Sequence, residues 1–200
     1  MDQIVAQNQA ERRRLVQILE GLSAEQWDSP SLCDGWRVRE VVAHITMPFR
    51  TSPIRFFAGV VRARFNFNRF ADWAARADTR SMDDSALLEQ LRRNVEHPWR
   101  PPGGGAVGAL SHDVIHGLDI TEALGLPGPP PERVGMVLRE SQEKNLAYFG
   151  VDLRGQQLVA TDADAAVGQG APVEMRAVDI LLVITGRRPL ANAVEGTSPA

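Results

Sequence analysis

The sequence is short of several features that would assign a protein quickly, and each shortage excludes something. One cysteine among 200 residues, Cys33, rules out an internal disulfide framework and any thiolate-rich metal cage. A bound metal must therefore be held mainly by histidine and carboxylate. The longest apolar run, "AVDILLVIT", is interrupted by Asp179 and is too short to cross a bilayer. No basic block is present: the net charge is -3 and the arginines are dispersed among acids, which argues against a nucleic-acid partner. The first residues, "MDQIVAQNQAERRRLVQ", lack the apolar stretch and small-residue site of a secretory signal. These absences lead to the expectation of a cytoplasmic protein with no membrane partner.

At 44% hydrophobic and 24% charged residues, the chain can close one good-sized core with a small appendage. Helical spacing of apolar residues predicts a helix to about Leu22 and a short capped turn, with Ser23 and Gln26 in capping-box register. A helix from Asp34 to Pro48 is next, with Asp34 as its N-cap. One long helix over residues 53–78 follows, then another capped by Asp83 or Asp84. "EHPWRPPGGGAVGA" reads as a loop, ahead of a helix from Ala106 to Leu124. "LPGPPPERV" stops that helix, and one more runs over residues 132–149 to Gly150. "QQLVATDADAAVGQGAPVEMRA" predicts two short strands and "AVDILLVITGR" a closing helix. The expected architecture is mainly α, with a helical bundle over residues 1–150 and a small α+β extension over residues 151–200.

Two of the four histidines, His112 and His116, stand four apart in the apolar segment "LSHDVIHGLDI". Positions i and i+4 of a helix share one face, with Cβ atoms about 6 Å apart, so both imidazoles can reach one ion. A catalytic site typically uses three protein ligands and leaves room for water or substrate. His44, on the inward side of another helix, is the best third ligand, since bundles build metal sites from facing helices. His97, before Pro98 at a helix end, reads as a surface or capping residue.

"SLCDGWRVREVVAHI", followed downstream by "HDVIHGLDITEALGLP", resembles the DinB-like metalloenzyme superfamily. More narrowly the chain is similar to the actinobacterial mycothiol-dependent maleylpyruvate isomerase group, and "LVATDADAAVGQGAPVEMRAVDILLVITGR" is similar to that group's C-terminal tail. The resemblance is weakest over residues 48–105. It implies a DinB-like four-helix bundle, a divalent metal, usually Zn2+, and thiol-linked transferase or isomerase chemistry with mycothiol as cosubstrate. The ligand positions fall on His44, His112 and His116. In the isomerase itself the middle position is glutamate, while the wider superfamily often has a third histidine, so the resemblance carries the metal site and not the particular reaction. An arginine near the group's C-terminus is thought to serve substrate binding or catalysis, and Arg187 stands at the corresponding place. Lys144 is the one lysine among 22 basic residues, an arginine bias that suits a GC-rich, mycothiol-using source.

A neutral three-histidine site leaves the metal its full charge to lower the pKa of a bound water or thiol. Zn2+ is the expected ion, although such donors also take Ni2+ or Fe2+. Cys33 is the rival nucleophile. Eleven residues before His44, it would lie about 16 Å away along a straight helix, and it reads as a packing residue. Glu40 and Asp119 stand one turn from His44 and His116, either as supports for those rings or as solvated or capping charges. The Gly103–Gly105 run reads as a flexible entry loop. The main expectation is a metal-dependent enzyme using a low-molecular-weight thiol on a small electrophile, as monomer or homodimer. The alternative is a non-catalytic bundle that binds a metal or small ligand.

Overall fold

The computed structural model describes residues 2–140 and 143–190, and the chain divides into two compact units, 1–126 and 127–200. The first holds α1 (Asp2–Glu20), α2 (Ala24–Asp28), α3 (Val38–Arg50), α4 (Pro53–Arg62), α5 (Phe67–Ser81), α6 (Asp84–Arg93) and α7 (Gly105–Leu124). α3 packs against α5, α6 and α7, while α1 packs against α6 and α7. The apolar faces meet in a core that includes Leu15, Leu19, Val41, Val42, Leu87 and Ile120, all buried. Burial of such stripes, more than helix propensity, holds a bundle together.

α7 ends at Gly125, whose φ of +64° suits glycine, and the Leu126 N–H returns to the Thr121 carbonyl at 2.8 Å. Gly117 has a different task. A Cβ there would stand 3.0 Å from Glu11 Oε1 and 3.1 Å from Leu15 Cδ2, so its missing side chain lets α1 lie close against the histidine-bearing helix.

Several sequence expectations are corrected. α3 starts at Val38 and not behind Asp34: residues before it form a tight loop with a Pro30–Arg37 bridge, and Glu40 Oε2 accepts the Arg37 backbone N–H at 3.0 Å. Pro48 does not stop α3, which continues to Arg50, although it supplies no N–H for the His44 carbonyl one turn earlier. The single helix over residues 53–78 is two. Arg64 and Phe65 take left-handed φ values of 57° and 60°, and the Asn66 side chain then caps α5 by accepting the Arg69 N–H at 2.9 Å. Asp83, not Asp84, caps α6.

The second unit contains α8 (Pro131–Arg139), α9 (Glu143–Phe149), β1 (Gln156–Ala160), β2 (Ala166–Gly168), β3 (Ala171–Met175) and α10 (Ala177–Ile184). The strands are three where two were expected, in the order β2-β1-β3, with β2 antiparallel and β3 parallel to β1. Glycine is required in the crossing: at Gly170, with φ +115°, a Cβ would lie 1.9 Å from the Gly155 carbonyl oxygen. α8 packs on α10 and β2, so it goes with the sheet and not with the bundle that the sequence reading extended to residue 150. The proline-rich stretch after Gly125 marks the division. Residues 141–142 of the expected 132–149 helix and the last ten residues of the 151–200 extension lie outside the described residues. Among those described, no helix is long and apolar enough to cross a membrane.

Glu40 supplies a test of the α3 start. Burial works to raise its pKa, but hydrogen bonds from the Arg37 side chain and backbone and from Thr79 outweigh burial and hold it below the usual carboxylate range. A depressed folded pKa stabilises above the unfolded value of about 4.3, and that stability is lost as pH falls through the folded value. Glu40→Gln should lower stability at pH 7 by about 1–2 kcal/mol and flatten the acid limb of a melting-temperature profile. An unchanged acid limb would show that Glu40 is not the titrating anchor.

Candidate metal centre

α7 carries His112 and His116 on one face, and α3 brings His44 to meet them. The ring centroids are separated by 5.1 Å (His44–His112), 4.7 Å (His44–His116) and 4.9 Å (His112–His116). One ring nitrogen from each lies within 4.8 Å of the other two. His44 is 5% exposed, and the other two side chains are 16% and 15% exposed, so the centre is sheltered but reachable.

Two of the rings are held by buried carboxylates. His112 Nδ1 lies 2.8 Å from Asp113 Oδ1 and His116 Nδ1 lies 2.9 Å from Asp119 Oδ2. An ionised carboxylate only accepts, so beside one, Nδ1 carries the ring's proton and Nε2 would be the atom to meet an ion. Asp113 is itself fixed from α1: Arg12 Nε donates to Oδ2 at 2.6 Å and Asn8 Nδ2 donates to the same oxygen at 2.8 Å. Burial works to raise the Asp113 pKa, and the bonds and charges of His112 and Arg12 overcome it to keep the group ionised.

His44 has no carboxylate partner. Its Nδ1 is buried without a hydrogen bond, and its Nε2 faces His112 Nε2 at 3.3 Å. Burial, followed by the neighbouring His116 and His112, pushes its pKa well below the ordinary histidine value, with Asp119 opposing. The side chains present fit a divalent cation. Two ring nitrogens face each other across hydrogen-bond distance, a neutral imidazole is the form that binds metal, and the carboxylate–histidine arrangement is the usual support for such ligands.

Cys33 is not remote. Its Sγ lies 3.1 Å from Asp119 Oδ2 and 3.9 Å from His116 Nδ1, and these three residues form a second convergent group that shares His116 with the first. The straight-helix distance fails because residues 29–37 fold back on themselves. Ser31 N–H donates to the Trp36 carbonyl at 2.9 Å and Trp36 N–H to the Cys33 carbonyl at 3.0 Å, while Leu32 N–H is tied to the Asp119 carbonyl at 3.0 Å. Gly35, with φ +70°, permits the reversal. Asp119 therefore supports His116, as one of its two readings held, whereas Glu40 turns to Arg37 and Thr79 (3.0 Å) and does not touch His44.

His97 stays outside the triad: its Nδ1 accepts the Trp99 N–H at 3.1 Å, and burial and Arg12 lower its pKa. Arg187 lies in the second unit, where its guanidinium donates to the Thr185 carbonyl at 2.8 Å and stands 5.6 Å from the Phe149 ring centre. The Gly103–Gly105 run leads directly into α7, which begins at Gly105. Asp113, Arg12 and Asn8 were not anticipated. A signal was present: Asn8 and Arg12 fall on the same helical face as Leu15 and Leu19, polar residues in an apolar stripe.

Comparison with known proteins bears on the domain and the fold. Residues 9–100 match the mycothiol maleylpyruvate isomerase N-terminal domain. No curated protein matches the chain. Two solved structures of the mycothiol-dependent maleylpyruvate isomerase are similar in fold. One, a histidine-to-alanine mutant, has a TM-score of 0.56 at 12% identity over 99% of this chain and 94% of that one. The other has a TM-score of 0.55 at 12% identity, over 94% of this chain and 89% of that one. Residues 9–100 therefore resemble the mycothiol maleylpyruvate isomerase N-terminal domain, and the chain shares the fold of the two isomerase structures.

Proposed function

We propose that this protein is a metal-dependent enzyme that activates a low-molecular-weight thiol, mycothiol by analogy with its family, or water, and directs it to a small electrophile in a transfer or isomerisation reaction. The observation that carries this reading is the convergence of His44, His112 and His116, two of them held through Nδ1 by buried carboxylates. Nε2 of His112 and of His116 and a ring nitrogen of His44 would hold the ion, with Zn2+ favoured by the all-imidazole donor set and Ni2+ or Fe2+ the alternatives. When bound, the ion supplies Lewis acidity that lowers the pKa of a thiol or water reaching it. A structural zinc site is usually closed by four protein ligands, whereas three imidazoles meet here beside a cavity, which favours an open and reactive site.

The chain's own residues prepare the centre. Asp113 and Asp119 fix the tautomers of two ligands, and Arg12 and Asn8 keep Asp113 from turning away. Cys33 donates its S–H toward Asp119 and acts as a positioning residue, with the external thiol as nucleophile. By the family resemblance, Arg187 serves an anionic substrate, since a guanidinium fork can grip a carboxylate.

Elemental analysis of the purified protein should find about one divalent ion per chain. His44→Ala, His112→Ala and His116→Ala should each remove most of it with the helical fold retained, and Asp119→Asn should weaken metal affinity about 10- to 100-fold. Full stoichiometry and affinity in His112→Ala would refute the triad. Metal binding without thiol-dependent turnover of any electrophile would favour a non-catalytic metal-binding bundle.

Cys33→Ser should retain turnover, because a hydroxyl can donate to the same Asp119 oxygen. Loss of the chemical step with metal content intact would instead make Cys33 the nucleophile. Arg187→Ala should raise KM for an anionic substrate about tenfold at unchanged metal content; equal kinetics would remove this arginine from the reaction.

A further inference from the structure

Beside the triad, a cavity of about 580 Å³ opens within the first unit, with His44 and His112 in its wall. That volume lies in the range of pockets that enclose a drug-sized ligand. Met47, Phe49, Phe56, Phe67, Trp99 and Pro101 form much of its surface. No aspartate or glutamate lines it, and the two cations that do are Arg50 and Arg100.

The two arginines are not equivalent. Arg50 is committed to Asp78 at 2.8 Å and donates to the Ala43 carbonyl at 3.0 Å and to Thr46 Oγ1 at 3.1 Å. Its charge is already met. Arg100 is exposed at the rim and makes no ion pair among the described residues. His97, the other titratable group in the wall, has its protonation pushed down by burial and Arg12. A carboxylate placed among the aromatic rings would lose its hydration without a partner, so among the cavity's own residues a diacid finds one open counter-charge where it needs two.

We infer that this cavity takes an electrophile with an aryl or similarly bulky apolar body and a single carboxylate, the body lying against Phe56, Phe67 and Trp99 and the carboxylate meeting Arg100. The inference rests on the thiol-activating reading above, in which the ion's open position is taken by the thiol and so is not available to a second carboxylate. It also separates this chain from relatives named for maleylpyruvate, a diacid.

Binding of three unreactive probes to the metal-loaded protein, read by calorimetry, tests the pocket apart from turnover. The probes are 4-phenylbutyrate, 4-phenylbutanol and adipate. 4-Phenylbutyrate should bind about tenfold more tightly than adipate, as expected for burial of an aryl ring. Arg100→Ala should weaken the acid about fivefold and leave the alcohol unaffected, while Phe67→Ala should weaken both aryl probes. Adipate binding as tightly as 4-phenylbutyrate, or no binding by any probe, would overturn the inference. An effect of Arg187→Ala in place of Arg100→Ala would remove Arg100 from it. Turnover is read separately with 3-benzoylacrylate, whose alkene takes the thiol sulfur at one carbon and the thiol proton at the other. Probe binding as expected without acceleration of that addition would sink the proposed function and leave the pocket assignment standing.

Discussion

The centre depends on one buried ion pair, Arg12 with Asp113. Neither side chain reaches solvent, and each would be costly alone in the core: removing one partner of such a pair typically destabilises by about 3–5 kcal/mol. The rest of the arrangement answers that cost. Arg12 spends Nε on Asp113 and Nη1 on the His97 carbonyl at 2.8 Å, with the Asn94 carbonyl at 3.3 Å, and it stands over the Phe49 ring. Asp113 gives Oδ2 to Arg12 and Asn8 and keeps Oδ1 for His112. A charge that α1 must neutralise to pack thus becomes the group that sets the tautomer of a ligand on α7. Packing and chemistry are joined through one carboxylate.

The second carboxylate is anchored by a different device. Asp119 is buried, and its backbone carbonyl holds the loop before α3 through Leu32 while its side chain faces His116 and Cys33. The loop therefore reports on α7, and α7 on the loop. Trp36 closes the same turn, with its ring 5.2 Å from His44 and its indole N–H donating to Asp72 at 2.8 Å. His44, which lacks a carboxylate of its own, is confined by rings: Trp36 on one side and the two α7 histidines on the other. Two rings held by hydrogen bonds and one held by packing give a cluster whose third member has the freest tautomer.

The helices and the nearness of the three histidines were legible in the sequence for the same reason. Amphipathic spacing and an i, i+4 histidine pair are local signals, and a third histidine on an apolar face completes them. What stayed hidden is what depends on chain reversal. Cys33 is far from His116 in number and is brought beside it by a loop whose course is fixed by hydrogen bonds of Ser31, Leu32 and Trp36, none of which periodicity can register. The helix break at Arg64 and Phe65 sits in residues that ordinarily continue a helix, with Asn66 as its one visible cue. β2, only three residues long, follows Asp-rich turns that mask it. Arg12 leaves one local trace, its place in the apolar stripe of Leu15 and Leu19, but its pairing with Asp113 across 101 residues leaves none.

The composition of the ligand set has a chemical consequence of its own. A glutamate in the middle position would donate negative charge to the ion and soften its pull on a thiol. A histidine there would donate none, so the proposed ligands are neutral and the carboxylate charge stands behind the His112 ring, on Asp113. That charge still raises the basicity of the ring through the Nδ1 proton, but it lies beyond the imidazole and is partly compensated by Arg12. An ion held as proposed would keep more of its positive field for whatever enters from the cavity. In a cavity with aromatic side chains in its wall, where a lower local dielectric strengthens electrostatic interactions, the proposed centre would be suited to stabilising a thiolate beside an otherwise apolar electrophile, which the cavity's scarcity of open charge independently favours.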